Sequence, residues 1–288
     1  MADVKRILNW KPSPRDARDL AFRNMRAMRG AAPMEPLPVR WSLREACPPV
    51  RDQGPVGECT GQSVAGACEF LSMKTSGGDC MRKSVKFAYY NGRRMLCPPQ
   101  TWDDSGCYIR TVIKAAARYG ICEEDFWPES KDFAAKPSVS AYADASRFQV
   151  EEYAALSDAS PETTLDNVRR SIYHGLPVCF GFDVYSSFMS DETTRTGIAK
   201  IPAAGETPEG GHAVLGVGYD DETCVLTVRN SWGAAWGDKG YFQLPYWFVL
   251  NGRASDFWAI SGQETGEEHA GWFGGLSGWL FGHTERSA

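Results

Sequence analysis

Four side chains of this 288-residue chain have the types and the spacing that suit nucleophilic catalysis. Cys59 follows Gln53 by six residues within RDQGPVGECTGQS. His212 stands 153 residues further on in EGGHAVLGVGYD, and Asn230 follows it by 18 residues in VRNSWG. A thiol, an imidazole and an amide can together form and resolve a covalent acyl intermediate.

Each of these side chains has a role that its chemistry allows. If Cys59 begins a helix, the free N–H groups and the dipole there lower the thiol pKa and favour the thiolate. His212 would accept and donate the proton, and Asn230 would orient its ring, with Trp232 close by to shield the pair. The Gln53 amide and the Cys59 N–H would stabilise the oxyanion.

Taken singly, the same residues also have structural interpretations. A cysteine in an apolar stretch is commonly an inert core residue, and a histidine before an apolar strand is commonly structural. The string NSWG can be a turn with a packing tryptophan. Only the combination and its order favour catalysis over these interpretations.

The elements that must position the four side chains follow from hydrophobic periodicity. An apolar stripe of Val64, Ala67, Cys68 and Leu71 predicts a helix from Cys59 to about residue 74. Further helices are predicted at 108–120 and 163–175, and short valine-rich strands at 177–184, 212–220 and 224–232.

A helical first half followed by a β-rich second half predicts an α+β fold with two lobes. We place an N-terminal extension at 1–37, within which 17–29 has helical periodicity, and a Gly/Trp-rich tail at 264–288. The main domain is predicted at 38–263, with a helical lobe over about 50–148 and a β lobe over about 149–262.

Composition excludes several classes of function. The net charge of −5 and the pI of about 5.5 argue against a nucleic-acid partner. No apolar run reaches the roughly 20 residues that cross a bilayer, so stable membrane insertion is not expected. With four histidines, no C-x-x-C and no H-E-x-x-H, we expect no metal and no other cofactor. The N-terminus lacks the apolar stretch of a secretory signal, which predicts a cytoplasmic protein or one exported without a cleaved signal.

Three blocks of the sequence resemble the active-site blocks of the papain-like cysteine peptidases. They are PVRDQGPVGECTGQS, GHAVLGVGYD and VRNSWGAAWGDKGYF. The order of cysteine, histidine and asparagine is also the order of that family, whose histidine and asparagine lie roughly 130–150 residues downstream. DSGCYIR, YGICEEDFWP and SDFWAI are similar to a bacterial branch without a long pro-region.

The resemblance covers about residues 38–262 and implies a papain-like fold. A mainly helical lobe and a β-barrel-like lobe would then enclose the active site in the cleft between them. By implication Cys59 is the nucleophile, His212 its acid/base partner, Asn230 the orienting amide and Gln53 the oxyanion donor. It also implies a substrate-binding set with an apolar pocket for the second residue before the cut: Gly106, Cys107, Tyr108, Ile109, Gly211, Ala213, Trp232 and Ile260. An alternative is that Tyr108 and Ile109 only pack the start of a helix.

Three positions depart from the family pattern. Glu58 stands where much of the family has serine, and we predict that its side chain points to solvent, away from the thiolate that it would oppose. Val56 replaces a cysteine of secreted members, and its usual disulfide is therefore absent. Cys107 stands at a glycine position and is expected to narrow the cleft.

The expected function is a cysteine endopeptidase that acts on protein or peptide substrates and prefers an apolar residue at the second position before the cut. The alternatives are an acyl transferase on the same scaffold and a catalytically silent peptide-binding module. For residues 1–37 we consider two hypotheses, autoinhibition by crossing the cleft and a structural belt packed elsewhere. The tail is expected to pack on the body or to be disordered.

Overall fold

The helices gather in the first half of the domain. The computed structural model describes residues 5–25, 28, 36–96 and 98–262. Its first four helices are α1 (Cys59–Thr75), α2 (Val85–Arg94), α3 (Ile109–Tyr119) and α4 (Val139–Ala145), with short 3-10 turns at Phe22–Asn24, Arg44–Ala46 and Glu124–Phe126.

The second half forms one antiparallel sheet with three short helices around it. The strands of this half are β2 (Tyr153–Ala155), β3 (Val178–Val184), β4 (Gly210–Asp220), β5 (Val225–Arg229), β6 (Tyr241–Pro245) and β7 (Ala254–Ile260). They lie in the order β2-β7-β3-β4-β5-β6, and β1 (Arg40–Ser42) joins the far end of β4. The accompanying helices are α5 (Pro161–Tyr173), α6 (Asp191–Thr196) and α7 (Trp247–Leu250).

Helix α1 lies at the centre of the molecule, between α2 and α3 on one side and β4 on the other. All residues from Cys59 to Ser72 are buried, so the helix is enclosed on every face. Gly61 fits directly against α2, since a Cβ there would lie 3.2 Å from Val85 and Tyr89 atoms. Close packing therefore explains a glycine that costs helix propensity.

The main helix and strand predictions are confirmed within about two residues. The two-lobe α+β prediction is confirmed as well, but the β lobe is not a barrel. In the described ranges the sheet stays open, because β2 and β6 have one strand neighbour each and do not pair with each other.

The helix predicted at 17–29 is wrong wherever its residues are described. Phe22–Asn24 makes a 3-10 turn, and Ala21 instead bridges to Ala155 of β2. Burial of Phe22 and Met25 against the domain explains the apolar periodicity of the segment. The tail at 264–288 lies outside the described residues.

Candidate active site

The cysteine stands at the amino end of a buried helix, as predicted. Cys59 is the first residue of α1, and no atom of it is exposed. Backbone N–H groups of Ala213 and Thr60 contact the thiol and favour its ionised form, but burial outweighs them and raises the pKa of Cys59 to about 12. The contact from Ala213 places the thiol next to the residue that follows His212 on β4.

Strands β4 and β5 bring the imidazole and the amide together. His212 lies in β4, Asn230 directly follows the end of β5, and the two strands pair in antiparallel register. The ring Nε2 lies 2.8 Å from Asn230 Oδ1, an acceptor, so Nε2 carries the proton and Nδ1 holds the lone pair. Nδ1 is buried and has no hydrogen-bond partner in the described structure. Burial lowers the pKa of His212 to about 4, so the covered ring is neutral.

Trp232 covers the imidazole as the sequence suggested. Its ring stacks on the His212 ring with centroids 4.8 Å apart and an angle of 27° between the planes. The indole keeps water away from the hydrogen bond between His212 and Asn230, which strengthens that bond.

Gln53 is held from two sides. Its Oε1 accepts a hydrogen bond of 2.6 Å from the Ser231 hydroxyl, and its Nε2 donates to the Val56 carbonyl at 2.8 Å. The second hydrogen on Nε2 remains for a substrate oxyanion. Sequence reasoning missed Ser231, although this residue stands beside Asn230 in the NSW string.

The segment of residues 5–13, which we call the strap, runs across this site. Its backbone bonds to Gly211 on both sides: the Trp10 N–H donates to the Gly211 carbonyl at 3.1 Å, and the Gly211 N–H donates to the Leu8 carbonyl at 3.2 Å. Asn9 fits between Gly57 and Gly106, where an added Cβ would lie 2.2 and 2.7 Å from Asn9 atoms. The strap therefore covers Gly106 and Gly211, two glycines of the predicted substrate-binding set.

Polar contacts fix both ends of the strap. The Arg6 guanidinium lies 2.5 Å from the Asp52 carboxylate and also donates to the Trp232 carbonyl at 3.4 Å. At the other end the Ser13 hydroxyl donates to Asp256 at 2.9 Å. These partners lie on the rim of the site, and only the fold brings them together.

The predicted substrate-binding residues fall into two groups. Ile109, Ala213 and Ile260 are buried in the same apolar cluster as Trp10 of the strap. Tyr108 is half-buried and is the N-cap residue of α3, so it packs at the start of that helix. Gly181 of β3 was missed by sequence reasoning, yet the Trp10 ring lies directly on it.

Two predictions about departures from the family pattern are wrong. The Glu58 side chain does not reach solvent: it is fully buried, and its carboxylate lies 2.7 Å from Lys86 Nζ. Lys86 is 28 residues away in sequence, so local patterning carried no signal for this pair. The Cys107 side chain does not narrow the cleft, because its sulfur packs into the core against Gly92 of α2.

The rest of the described structure adds little that competes with this site. In the described ranges no three His, Cys, Asp or Glu side chains form a group that could hold a metal ion. No described helix is long and apolar enough to cross a membrane. The eight cysteines in these ranges are unpaired, Cys107 among them.

Comparison with known proteins gives the same family as the active-site geometry. The family model for the papain family of cysteine proteases matches residues 36–247. The crystal structure of xylellain, a cysteine protease from Xylella fastidiosa, superposes with a TM-score of 0.74 at 32% identity, covering 88% of this chain and 95% of that one. The chain belongs to the papain family of cysteine proteases.

Two curated relatives extend this comparison. An uncharacterized peptidase C1-like protein of Acanthamoeba polyphaga mimivirus is 39% identical over 215 residues, which are 73% of this chain and 68% of that protein. Pro-cathepsin H of Mus musculus is 26% identical over 256 residues, 84% of this chain and 68% of that protein. The predicted family and its similarity to a bacterial member are thereby confirmed.

Proposed function

We propose that this protein is a cysteine endopeptidase that cuts peptide bonds through Cys59, His212, Asn230 and Gln53. The observation that carries the proposal is the orientation of the imidazole. Asn230 holds Nε2 at 2.8 Å, which leaves the buried Nδ1 lone pair without a partner, and the next residue of β4, Ala213, contacts the Cys59 thiol through its backbone N–H. An unpartnered buried nitrogen is costly, and a proton from Cys59 would satisfy it.

The reaction proceeds in two steps, acylation of Cys59 and hydrolysis of the resulting thioester. His212 Nδ1 takes the proton of Cys59, and the thiolate attacks the peptide carbonyl carbon to give a tetrahedral oxyanion. The Gln53 amide and the Cys59 N–H stabilise that oxyanion. When the C–N bond breaks, His212 returns the proton to the leaving amine, and it then takes a proton from the water that attacks the thioester. The C–S bond breaks next, the acid product leaves, and His212 returns that proton to Cys59.

The central test compares three reactions under reducing conditions. We would measure hydrolysis of a dipeptidyl fluorogenic amide by the full chain, by Cys59→Ala and by the full chain treated with the epoxide inhibitor E-64. Loss of turnover in the last two is expected, since both remove the thiolate. Cys107→Ala is the matched control, because its thiol is equally buried but packs on Gly92, and turnover should remain. Undiminished turnover in Cys59→Ala would contradict the proposal.

We infer that the enzyme prefers an apolar side chain at the second position before the cut. The strap supports this preference, because the indole of Trp10 lies only 5% exposed against Gly181 and Gly211 and belongs to the cluster of Ala213 and Ile260. A charged side chain in this apolar surrounding would lose its hydration without gaining a partner. Substrates with leucine or phenylalanine at that position should be cut faster than those with arginine or glutamate, and equal rates would contradict the preference.

We also infer that residues 1–37 restrain the enzyme, in preference to the belt hypothesis. The strap lies over the substrate glycines and leaves neither Cys59 nor His212 exposed to solvent. Trp10→Ala in the full chain should raise the hydrolysis rate, because it removes the apolar contact that holds the strap down. Lys11→Ala is the matched control, since the Lys11 side chain is exposed. An unchanged rate in a folded Trp10→Ala variant would favour the belt.

A further inference from the structure

A buried cluster of charged groups adjoins the nucleophile. This cluster, which we call the Glu58 cluster, consists of Glu58, Lys86 and Glu129. The Lys86 ammonium lies 2.7 Å from Glu58 Oε2 and 2.9 Å from Glu129 Oε1. Glu58 Oε1 accepts a further hydrogen bond of 3.0 Å from the Gln62 amide. Glu58 immediately precedes Cys59 at the head of α1.

The charges of the Glu58 cluster do not balance. One ammonium faces two carboxyl groups, the Glu58 carboxyl is wholly buried and the Glu129 side chain is 34% exposed. A net negative charge in such a place is strongly disfavoured, and binding one proton removes it. Glu129 Oε2 is buried and has no hydrogen-bond partner while both carboxyls are ionised.

Electrostatics favour the same protonation state. Burial raises the pKa of Glu58, and the charge of Glu129 and a hydrogen bond with that carboxyl act in the same direction against the Lys86 cation. The two negative neighbours raise the pKa of Lys86, which therefore stays protonated. A proton bound by this cluster is consequently favoured at the Glu58 carboxyl.

The other titratable groups near Cys59 carry no positive charge that could balance the Glu58 cluster. Tyr89 of α2 donates its hydroxyl to Asp104, and burial raises its pKa far above neutrality. His212 of β4 is neutral because burial lowers its pKa. Cys59 itself is disfavoured as a thiolate by the charge of Glu58. Within the described residues, Lys86 contacts Glu58 directly and Glu129 acts on it across Lys86, while the Asp104 carboxylate accepts the neighbouring Gly57 N–H at 2.9 Å.

We propose that Glu58 and Glu129 share one proton over Lys86, so that Glu129 sets how much negative charge Glu58 presents to the Cys59 thiolate. Glu129 is then a positioning residue that acts on the nucleophile through Glu58 without touching substrate. The proposal rests on the proposed function, because it concerns the reactivity of Cys59. It also explains how a carboxyl group can stand next to a nucleophilic thiolate: near neutral pH the group is partly protonated.

The test measures the reactivity of Cys59 directly. We would treat the full chain with iodoacetamide from mildly acidic to mildly alkaline pH and quantify alkylated Cys59 by mass spectrometry. The variants are Glu129→Gln and Glu58→Gln, which keep the shape and a hydrogen-bonding group but cannot ionise. Glu124→Gln is the matched control, since Glu124 comes from the same segment but pairs with Arg51.

The two variants should differ from the wild type in opposite directions. In Glu129→Gln, Glu58 is the only carboxyl group beside Lys86, and the ammonium stabilises its ionised form. The added negative charge disfavours the Cys59 thiolate, so alkylation at neutral pH should slow by roughly threefold to tenfold, the size expected for one neighbouring charge. In Glu58→Gln the rate should match the wild type at mildly acidic pH and exceed it increasingly as the pH rises. Glu124→Gln should follow the wild type throughout.

Other outcomes distinguish failure of the shared-proton proposal from failure of the proposed function. A wild-type rate in Glu129→Gln at neutral pH, with Cys59 still selectively alkylated, would overturn the shared proton alone. Equal slowing in both variants at every pH would show that the cluster only supports the fold. Absence of selective alkylation of Cys59 both in the wild type and in Trp10→Ala, which loosens the strap over the buried thiol, would overturn the proposed function itself. Should Glu58→Gln fail to fold, the comparison of Glu129→Gln with Glu124→Gln decides the matter, because Glu129 is partly exposed.

Discussion

Two buried ion clusters contact α1, and they differ in one charge. The Glu58 cluster joins the first turn of α1 to Lys86 and Glu129. The second, which we call the Arg51 cluster, joins Glu69 further along α1 to Arg51 and to Glu124. Each contains one carboxyl from α1 or its N-cap residue, one from the segment 124–129 and one cation that contacts both.

The Arg51 cluster has a second cation, which the Glu58 cluster lacks. Arg82 Nε lies 3.9 Å from Glu69 and 3.8 Å from Glu124, so two cations face two carboxylates. The Lys83 N–H also donates to Glu69 at 2.9 Å, which satisfies the buried carboxylate further. Charge balance therefore separates the two clusters: cations and carboxyl groups are equal in number around Arg51, whereas one cation faces two carboxyl groups around Lys86. The unbalanced cluster is the one beside the nucleophile.

Removing the cation of the balanced cluster should have the largest effect on stability. Arg51→Met leaves Glu69 buried without its close partner, and such a loss costs about 3–5 kcal/mol. The free energy of unfolding from urea titration at neutral pH would measure it. A cost below that of Lys86→Met would show that charge balance does not separate the two clusters.

Lys83 gives a further test of charge balance, because it is a buried cation with no hydrogen-bonded carboxylate among the described residues. Its Nζ lies 3.0 Å from the centre of the Phe148 ring, and burial lowers its pKa from 10.5 to about 8. A lowered folded pKa means that folding disfavours the charged form, so the penalty is complete below about pH 8 and fades as the pH rises toward 10.5.

Lys83→Met should therefore stabilise the protein by about 1–3 kcal/mol at neutral pH, since it removes that penalty. Thermal unfolding at neutral and at alkaline pH would measure the gain, which should shrink on the alkaline side. Destabilisation at neutral pH would show that the contact with Phe148 outweighs the burial of the charge.

Removing the cation of the unbalanced cluster should cost less than Arg51→Met. In Lys86→Met the Glu58 carboxyl can bind a proton and the partly exposed Glu129 stays in contact with water, so the loss reduces to hydrogen bonds worth about 1–2 kcal/mol near neutral pH. The raised pKa of Glu58 fixes the sign of the pH dependence: stability is retained at acid pH and is lost as the pH rises toward the folded value. Urea titrations across this range should show a steeper loss in Lys86→Met than in the wild type. Parallel curves would contradict the prediction.

The smallest effect is expected from Glu124→Gln. The Glu124 side chain is 26% exposed, and Arg51 keeps Glu69 as a partner when this charge is removed. A partly exposed pair of this kind contributes less than about 1 kcal/mol. A larger loss of unfolding free energy would mean that the Arg51 cluster depends on all its members.

The sequence predicted the features that short stretches of residues encode. The order of Cys59, His212 and Asn230 indicated the papain family, and periodicity predicted α1 and the strand that carries the histidine. These predictions succeeded because a helix stripe, a glycine-bounded strand and a catalytic block are each written within about 15 residues. Family membership follows from the same short blocks.

Contacts between distant residues were decided only by the tertiary structure. Glu58 meets Lys86 and Glu129, Gln53 meets Ser231, and the strap meets Gly211 across the site. Each contact joins segments far apart in sequence, and the residue types alone allow many other partners. The sequence by itself therefore determined the family and the elements that carry the candidate catalytic side chains. Burial and charge balance, which depend on the whole packed molecule, decided what surrounds those side chains.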